Sequence, residues 1–152
     1  MPLFRILPFF MLLVLGGGLV IGYLTAPGAW YAALEKPAFN PPGWVFGPAW
    51  TFLYILIALA GARMWLRERH GTAMKLWWSQ LALNFAWSPV FFSLHQIGLA
   101  LVIIFGLAIN IVALIAVTWR VDRPSALMFL PYAGWVLFAS LLNGFILLLN
   151  QT

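Results

Sequence analysis

The sequence predicts an all-α membrane protein, a five-transmembrane-helix bundle with an aromatic, proline-rich loop between helices 1 and 2. Composition carries the first half of that expectation. Hydrophobic residues make up 64% of the chain and charged residues 7%, whereas a water-facing surface needs about a quarter charged residues. Periodicity and length carry the second half. Five uncharged stretches, residues 6–26, 43–62, 76–94, 97–119 and 124–150, are each long enough to cross the hydrocarbon core as a helix. None alternates in the manner of a membrane β-strand. No internal repeat or linker divides the chain, so residues 1–152 are expected to form a single domain.

The first span follows Arg5 and carries Gly16, Gly17, Gly18 and Gly22. A basic residue before an apolar run that ends in small residues also fits a signal peptide, but the run reaches Leu24, longer than a usual signal core. A membrane helix is expected instead. Gly18 and Gly22, one turn apart, offer a surface that another helix of the same chain can approach closely. Next comes a loop dense in Trp30, Tyr31, Pro37, Pro41, Pro42 and Trp44. Proline fixes the backbone and aromatic rings supply rigid apolar area, so this loop is suited to lidding a hydrophobic pocket.

The later spans each present one distinctive stripe at three- and four-residue steps, the spacing that shares a helix face. On span two the stripe is Gly43, Gly47, Trp50 and Tyr54; on span three, Gln80, Asn84, Trp87 and Phe91; on span five, Pro131, Trp135, Ala139 and Asn143. Any one of them is accounted for by interhelical packing with Asn and Gln as hydrogen-bonding glue. Together with the aromatic loop they lead us to expect a shared pocket. Trp50, Trp87, Trp135 and Phe91 would wall it, and Asn84 would meet the polar edge of a ligand.

Of the eight Lys and Arg residues, only Lys36 falls on the far side of the alternating spans. Arg5, Arg63, Arg67, Arg69, Lys75, Arg120 and Arg123 share the other side, so the positive-inside rule places the N-terminus in the cytoplasm and the C-terminus outside. The net charge of +5 is a topology signal, and nucleic acid is not an expected partner. With no Asp, Glu, Lys, Arg or His in the middle of a span, a proton relay or ion-coupled transport is not expected. The chain has no cysteine. His70 and His95 lie at opposite ends, so no metal site is expected, and the serines lack the His or carboxylate partner of an activated nucleophile. Glu35 is read as a local partner of Lys36 or an ordering residue of the loop.

Specific motifs go further. Trp30-Tyr31 is followed by Leu34-Glu35-Lys36-Pro37, Pro41-Pro42, Trp44-Val45-Phe46, Pro48, Trp50-Thr51 and Leu53-Tyr54. Then come Gln80-Leu81-Ala82-Leu83-Asn84, Trp87, Pro89-Val90-Phe91-Phe92, Pro131-Tyr132 with Trp135, and Leu142-Asn143. In this order and spacing they resemble the tryptophan-rich sensory protein or translocator protein family, TspO/MBR, also called the peripheral benzodiazepine receptor family.

The resemblance implies a five-helix bundle, often a homodimer, that binds porphyrins and other flat hydrophobic ligands under the loop after helix 1. Sterols and benzodiazepine-site drugs belong to the same ligand group. It implies ligand-binding roles for Trp30, Tyr31, Trp44, Gly47, Trp50, Tyr54, Asn84, Trp87, Phe91, Trp135, Ala139 and Asn143. From some bacterial members it also implies a photochemical role for Trp50 and Trp135 in light- and oxygen-dependent porphyrin breakdown, with no cofactor required and porphyrin as ligand or substrate. Such slow chemistry makes the label enzyme debatable, and the expectation leans against it. Transport of tetrapyrroles or sterols across the membrane is the alternative function. The chain ends Leu147-Leu148-Leu149-Asn150-Gln151-Thr152, without the Tyr and basic residue of the animal cholesterol pattern, so a bacterial member is expected; a helical bundle that obeys the positive-inside rule is expected in the inner membrane.

Overall fold

The computed structural model describes residues 2–151. Those residues are helical with connecting turns, and no strand occurs among them. Helix α1 spans Leu3–Leu24, a short α2 spans Ala29–Ala33 within the loop, and α3 spans Gly43–Glu68. Helix α4 spans Thr72–Ser88 and continues through a wide turn over Pro89–Ser93. Helices α5, Ile97–Val121, and α6, Arg123–Leu149, complete the chain.

Four of these, α1, α3, α5 and α6, are long and apolar enough to cross a membrane. The fifth expected span, α4, is 17 residues as a regular helix and reaches membrane length only with its wide turn. That turn begins at Pro89, which lacks the N–H needed for a regular i→i−4 bond. Helix α3 runs past the expected end at Ala62, because nothing in Arg63–Glu68 breaks a helix, and so carries Arg63 and Arg67 on its last turns.

The helices form a ring in which α1 packs on α3, α3 on α6, α6 on α5 and α5 on α4, with α4 returning to α1. At the end holding the chain's basic loops the interior is tightly filled: Phe10, Ile57, Met64, Trp77, Phe129 and Tyr132 are all buried. Trp77 donates its indole N–H to the Ile57 carbonyl at 3.0 Å. Gly61 makes room for it, since a Cβ there would lie 2.5 Å from the indole. A buried tryptophan thus keeps its apolar contact and satisfies its one donor.

Asp122, in the turn between α5 and α6, ties this end together. Arg63 donates to both of its carboxylate oxygens, at 2.8 and 2.9 Å, Arg67 approaches at 3.2 Å, and Ser125 donates from the first turn of α6. The Arg63 hydrogen bond, assisted by Ser125 and by the charges of both arginines against the cost of burial, holds the Asp122 carboxyl below its ordinary pKa. Residues read from sequence only as topology signals are therefore also structural.

Helix α1 departs from regular geometry over Leu12–Gly16, where its turn widens to i→i+5. Just beyond, a Cβ at Gly17 would lie 2.8 Å from the Phe85 ring and one at Gly18 would lie 2.3 Å from Tyr54. The close approach expected at Gly18 and Gly22 is thus made inside the chain by Gly17 and Gly18, while Gly22 has no neighbour within 4 Å of a Cβ position.

The loop is fastened at the C-terminal end of its short helix. Lys36 Nζ donates to the carbonyls of Tyr31 at 2.7 Å and Leu34 at 3.1 Å and lies 4.4 Å from the Tyr31 ring centre. This replaces the expected pairing with Glu35, since the free carbonyls ending α2 are nearer and attract a cation. The main chain of Glu35 instead makes a two-point bond with the Asn150 side chain, N–H to Oδ1 at 3.0 Å and C=O from Nδ2 at 2.9 Å. The loop-ordering reading of Glu35 holds through its backbone.

Candidate ligand cavity

Beneath the loop the ring of helices does not close on itself, and a cavity of about 730 Å³ remains. The stripes explain where it is. On α3, Gly43 and Gly47 withdraw from the interior beside the large rings of Trp50 and Tyr54, and all four line the cavity. Helix α4 contributes Asn84, Trp87 and Phe91, and α6 contributes Trp135, Ala139 and Asn143. Tyr31 closes the top from α2, edge-on to Phe91 and Phe92 with ring centres 6.2 and 5.3 Å apart. Burial raises the pKa of its phenol above the ordinary tyrosine value.

Two tryptophans expected at this site lie elsewhere. Trp30 does not line the cavity; its ring stacks on His95 at 4.1 Å and meets the edge of Phe91 at 5.9 Å. It buttresses a cavity wall from behind. His95 takes a left-handed conformation, φ 57°, where α4 ends, and this turns its ring towards the loop. Trp44 is 76% exposed, because Gly43–Val45 form a tight first turn that directs it outward. Spacing alone does not fix the direction of a side chain in a loop.

The aromatic walls are set at steep mutual angles. Trp50 and Trp135 stand 6.4 Å apart at 87°, while Trp87 lies nearly parallel to Phe91, 5.1 Å apart at 30°. Phe46, absent from the expected set, meets Trp135 edge-on at 5.8 Å and lines the cavity too. Trp135 is also a wall of a second, open groove of about 440 Å³ on the outer surface between α3 and α6, shared with Ala49, Phe52, Pro131 and Gly134. Pro131, expected on the pocket stripe, lies on that outer groove. The Trp135 ring is therefore the partition between the two spaces, and its Nε1 has no hydrogen-bond partner.

The polar groups in the walls are mostly committed to one another. The Tyr54 hydroxyl donates to Asn84 Oδ1 at 3.1 Å, Asn84 Nδ2 donates to the Tyr132 hydroxyl at 2.7 Å, and Tyr132 donates to Gln80 Oε1 at 2.7 Å. This chain leads away from the cavity, so Gln80 is buried behind it rather than lining it. Asn84 spends its first donor and acceptor on the protein; one N–H and one lone pair are left over. Trp87 donates to Asn143 Oδ1, and Asn143 Nδ2 donates to the Ile97 carbonyl. Tyr132, the hub of the first chain, was missed because it lies one residue off the α6 stripe; its place after Pro131 was the available signal.

The cavity lining contains no Asp, Glu, Lys, Arg or His, and no group of His and acidic residues able to hold a metal occurs among the described residues. Such a site offers aromatic faces and weak, uncharged edge donors.

A family model described as the TspO/MBR family matches residues 9–149. The chain is 42% identical to the Tryptophan-rich protein TspO of Archaeoglobus fulgidus over 144 residues, 92% of this chain and 94% of the relative. It is 38% identical to Protein CrtK of Rhodobacter capsulatus over 133 residues, 85% of this chain and 83% of the relative. The Translocator protein of Bos taurus is 38% identical over 143 residues, 89% of this chain and 83% of the relative.

Proposed function

Starting from the fact that this chain belongs to the TspO/MBR family of membrane proteins, we propose that it is a receptor or sensor that binds porphyrins and other flat hydrophobic ligands in the cavity beneath the α2 loop. The observation that carries this reading is the uncharged, aromatic-walled cavity of about 730 Å³. A large planar π-system gains most from ring faces and edges at close range and tolerates few polar groups around its perimeter. Trp50, Trp87, Phe91 and Trp135 supply those contacts, and the spare N–H of Asn84 meets a polar edge. In this reading Trp50 and Trp135 also act photochemically: an indole gives an electron to the excited porphyrin and is itself oxidised, and the reduced porphyrin passes the electron to dioxygen, the oxidant for its breakdown. No cofactor is needed.

The bundle spans the membrane five times, with α4 and its wide turn as the third crossing, N-terminus in the cytoplasm and C-terminus outside; the asymmetry of basic loops supports this. A bacterial inner membrane and a homodimer complete the proposal. Transport of tetrapyrroles or sterols is the weaker reading, because the end of the bundle opposite the loop is filled by Phe10, Met64, Trp77 and Phe129, which leave the cavity closed on that side.

Fluorescence-quenching titrations with protoporphyrin, haem and cholesterol, in darkness and under light, test the assignment. Saturable quenching by the porphyrins supports it. Quenching that rises linearly without saturation for all three overturns it.

A further inference from the structure

The geometry points to a lateral window between α1 and α3 through which the cavity takes its ligand directly from the bilayer. This inference rests on the ligand-binding reading above and adds the route. Helices α1 and α3 touch at Gly18 and Tyr54; beyond that contact, towards the loop, they splay. Helix α1 has no buried residue from Gly17 to Leu24, yet Leu19, Gly22 and Tyr23 line the cavity. Leu19 and Tyr23 are at the same time 70% and 85% exposed, which places them on a rim rather than a wall.

The facing edge of α3 matches. Gly47 and Thr51 line the cavity and are exposed, and a Cβ built at Gly22, Gly43 or Gly47 would meet no atom within 4 Å. The gap is thus open space between two apolar helix flanks, continuous with the cavity. The one polar side chain on the α3 edge, Thr51, donates its hydroxyl back to the Gly47 carbonyl at 2.8 Å, so that edge shows hydrocarbon no unsatisfied donor. The loop side, by contrast, is fastened by Lys36 and by the Asn150 clasp on Glu35. A planar apolar molecule dissolved in the membrane therefore has an unobstructed path at the flank and a closed one from water.

The absence of native cysteine gives a clean test. Gly22→Cys protein in vesicles, modified by a bulky thiosulfonate that reducing agent removes, blocks the rim reversibly; Gly28→Cys, in the loop and off the cavity lining, receives the same label as control. Protoporphyrin association and dissociation are followed by stopped-flow quenching. Blocking at position 22 should slow both rates together by about tenfold, restored on reduction, with little effect from the label at position 28. At fixed total porphyrin, added empty vesicles should slow association by diluting the ligand in the membrane.

Unchanged rates with position 22 blocked, or slowing only with position 28 blocked, overturn the window. If unlabelled wild-type protein shows no saturable binding, it is the ligand-binding reading that fails.

Discussion

Trp87 and Asn143 join two walls of the cavity, the indole Nε1–H donating to Oδ1 at 3.0 Å across α4 and α6. The bond fixes the plane of a ring that stacks on Phe91, and Asn143 is itself held by the Ile97 carbonyl. Asn143→Leu leaves the indole donor and that carbonyl without their partner, a loss of about 1 to 3 kcal/mol. The variant should melt at lower temperature in detergent and bind protoporphyrin more weakly than wild type. An unchanged melting temperature would show that Asn143 holds nothing in place.

Trp135 separates the cavity from the outer groove, and its indole contacts Phe46, Trp50 and Phe138 by ring edges and tilted faces. Trp135→Phe keeps an aromatic partition and removes no hydrogen bond, because Nε1 makes none. Stacking of a flat ligand on an aromatic side chain is worth about 1 to 3 kcal/mol against alanine, and Phe retains most of it. Dark affinity for protoporphyrin should stay within about tenfold while light-driven loss of the porphyrin absorption band stops. Degradation at the wild-type rate would refute the indole's photochemical role; collapse of dark affinity would make Trp135 a binding anchor only.

The acid limb of stability should report Asp122. Its folded-state pKa is depressed by the Arg63 hydrogen bond, so its contribution is fully present above the ordinary value of 3.8 and is lost as pH falls below that towards the lower folded value. Asp122→Asn should lower stability at neutral pH by about 1 to 3 kcal/mol and flatten the decline below pH 4. Thermal melts of both proteins across that range measure it, and parallel curves would deny the carboxylate any role.

Orientation is open to direct labelling. Gln151→Cys should react with an impermeant thiol reagent on intact spheroplasts, and His70→Cys, exposed in the basic turn between α3 and α4, should react only after lysis. The reverse pattern would invert the topology.

Ala82 lies on the exposed face of α4 and Ala86 one turn further on is partly buried, so this edge is not consumed by packing within the chain. Small residues one turn apart let two helices approach closely in a membrane. Replacing both by Leu should move the detergent-solubilised protein from dimer towards monomer in light scattering. An unchanged mass would assign dimerisation, if present, to another face.

The helical class and the placement of most cavity residues were legible because both depend on spacing along one helix. Trp50, Asn84, Trp87, Trp135, Ala139 and Asn143 share a stripe with their neighbours, and a stripe of rings beside small residues has to leave space wherever it turns inward. What spacing does not contain is the rotation of one helix against the next. Gln80 belongs to the α4 stripe by count but lies behind the cavity, where Tyr132 reaches it. Loop residues carry no period at all, so Trp30 and Trp44 were indistinguishable by type, although one braces Phe91 and the other faces outward. The Asp122 cluster joins residues 59 apart in sequence, and only the packed ends of three helices reveal it.

The wide turn at Leu12–Gly16 also gives α1 a tolerance in residue number at that one place. A regular helix advances about 100° per residue, and a single i→i+5 turn takes up one extra residue while the helix on either side keeps its phase. Deleting one residue there lets the helix close into a regular spiral with Gly17 and Gly18 still facing Phe85 and Tyr54. The same deletion in a regular stretch would turn everything beyond it by about 100° and carry those glycines off the rings they accommodate.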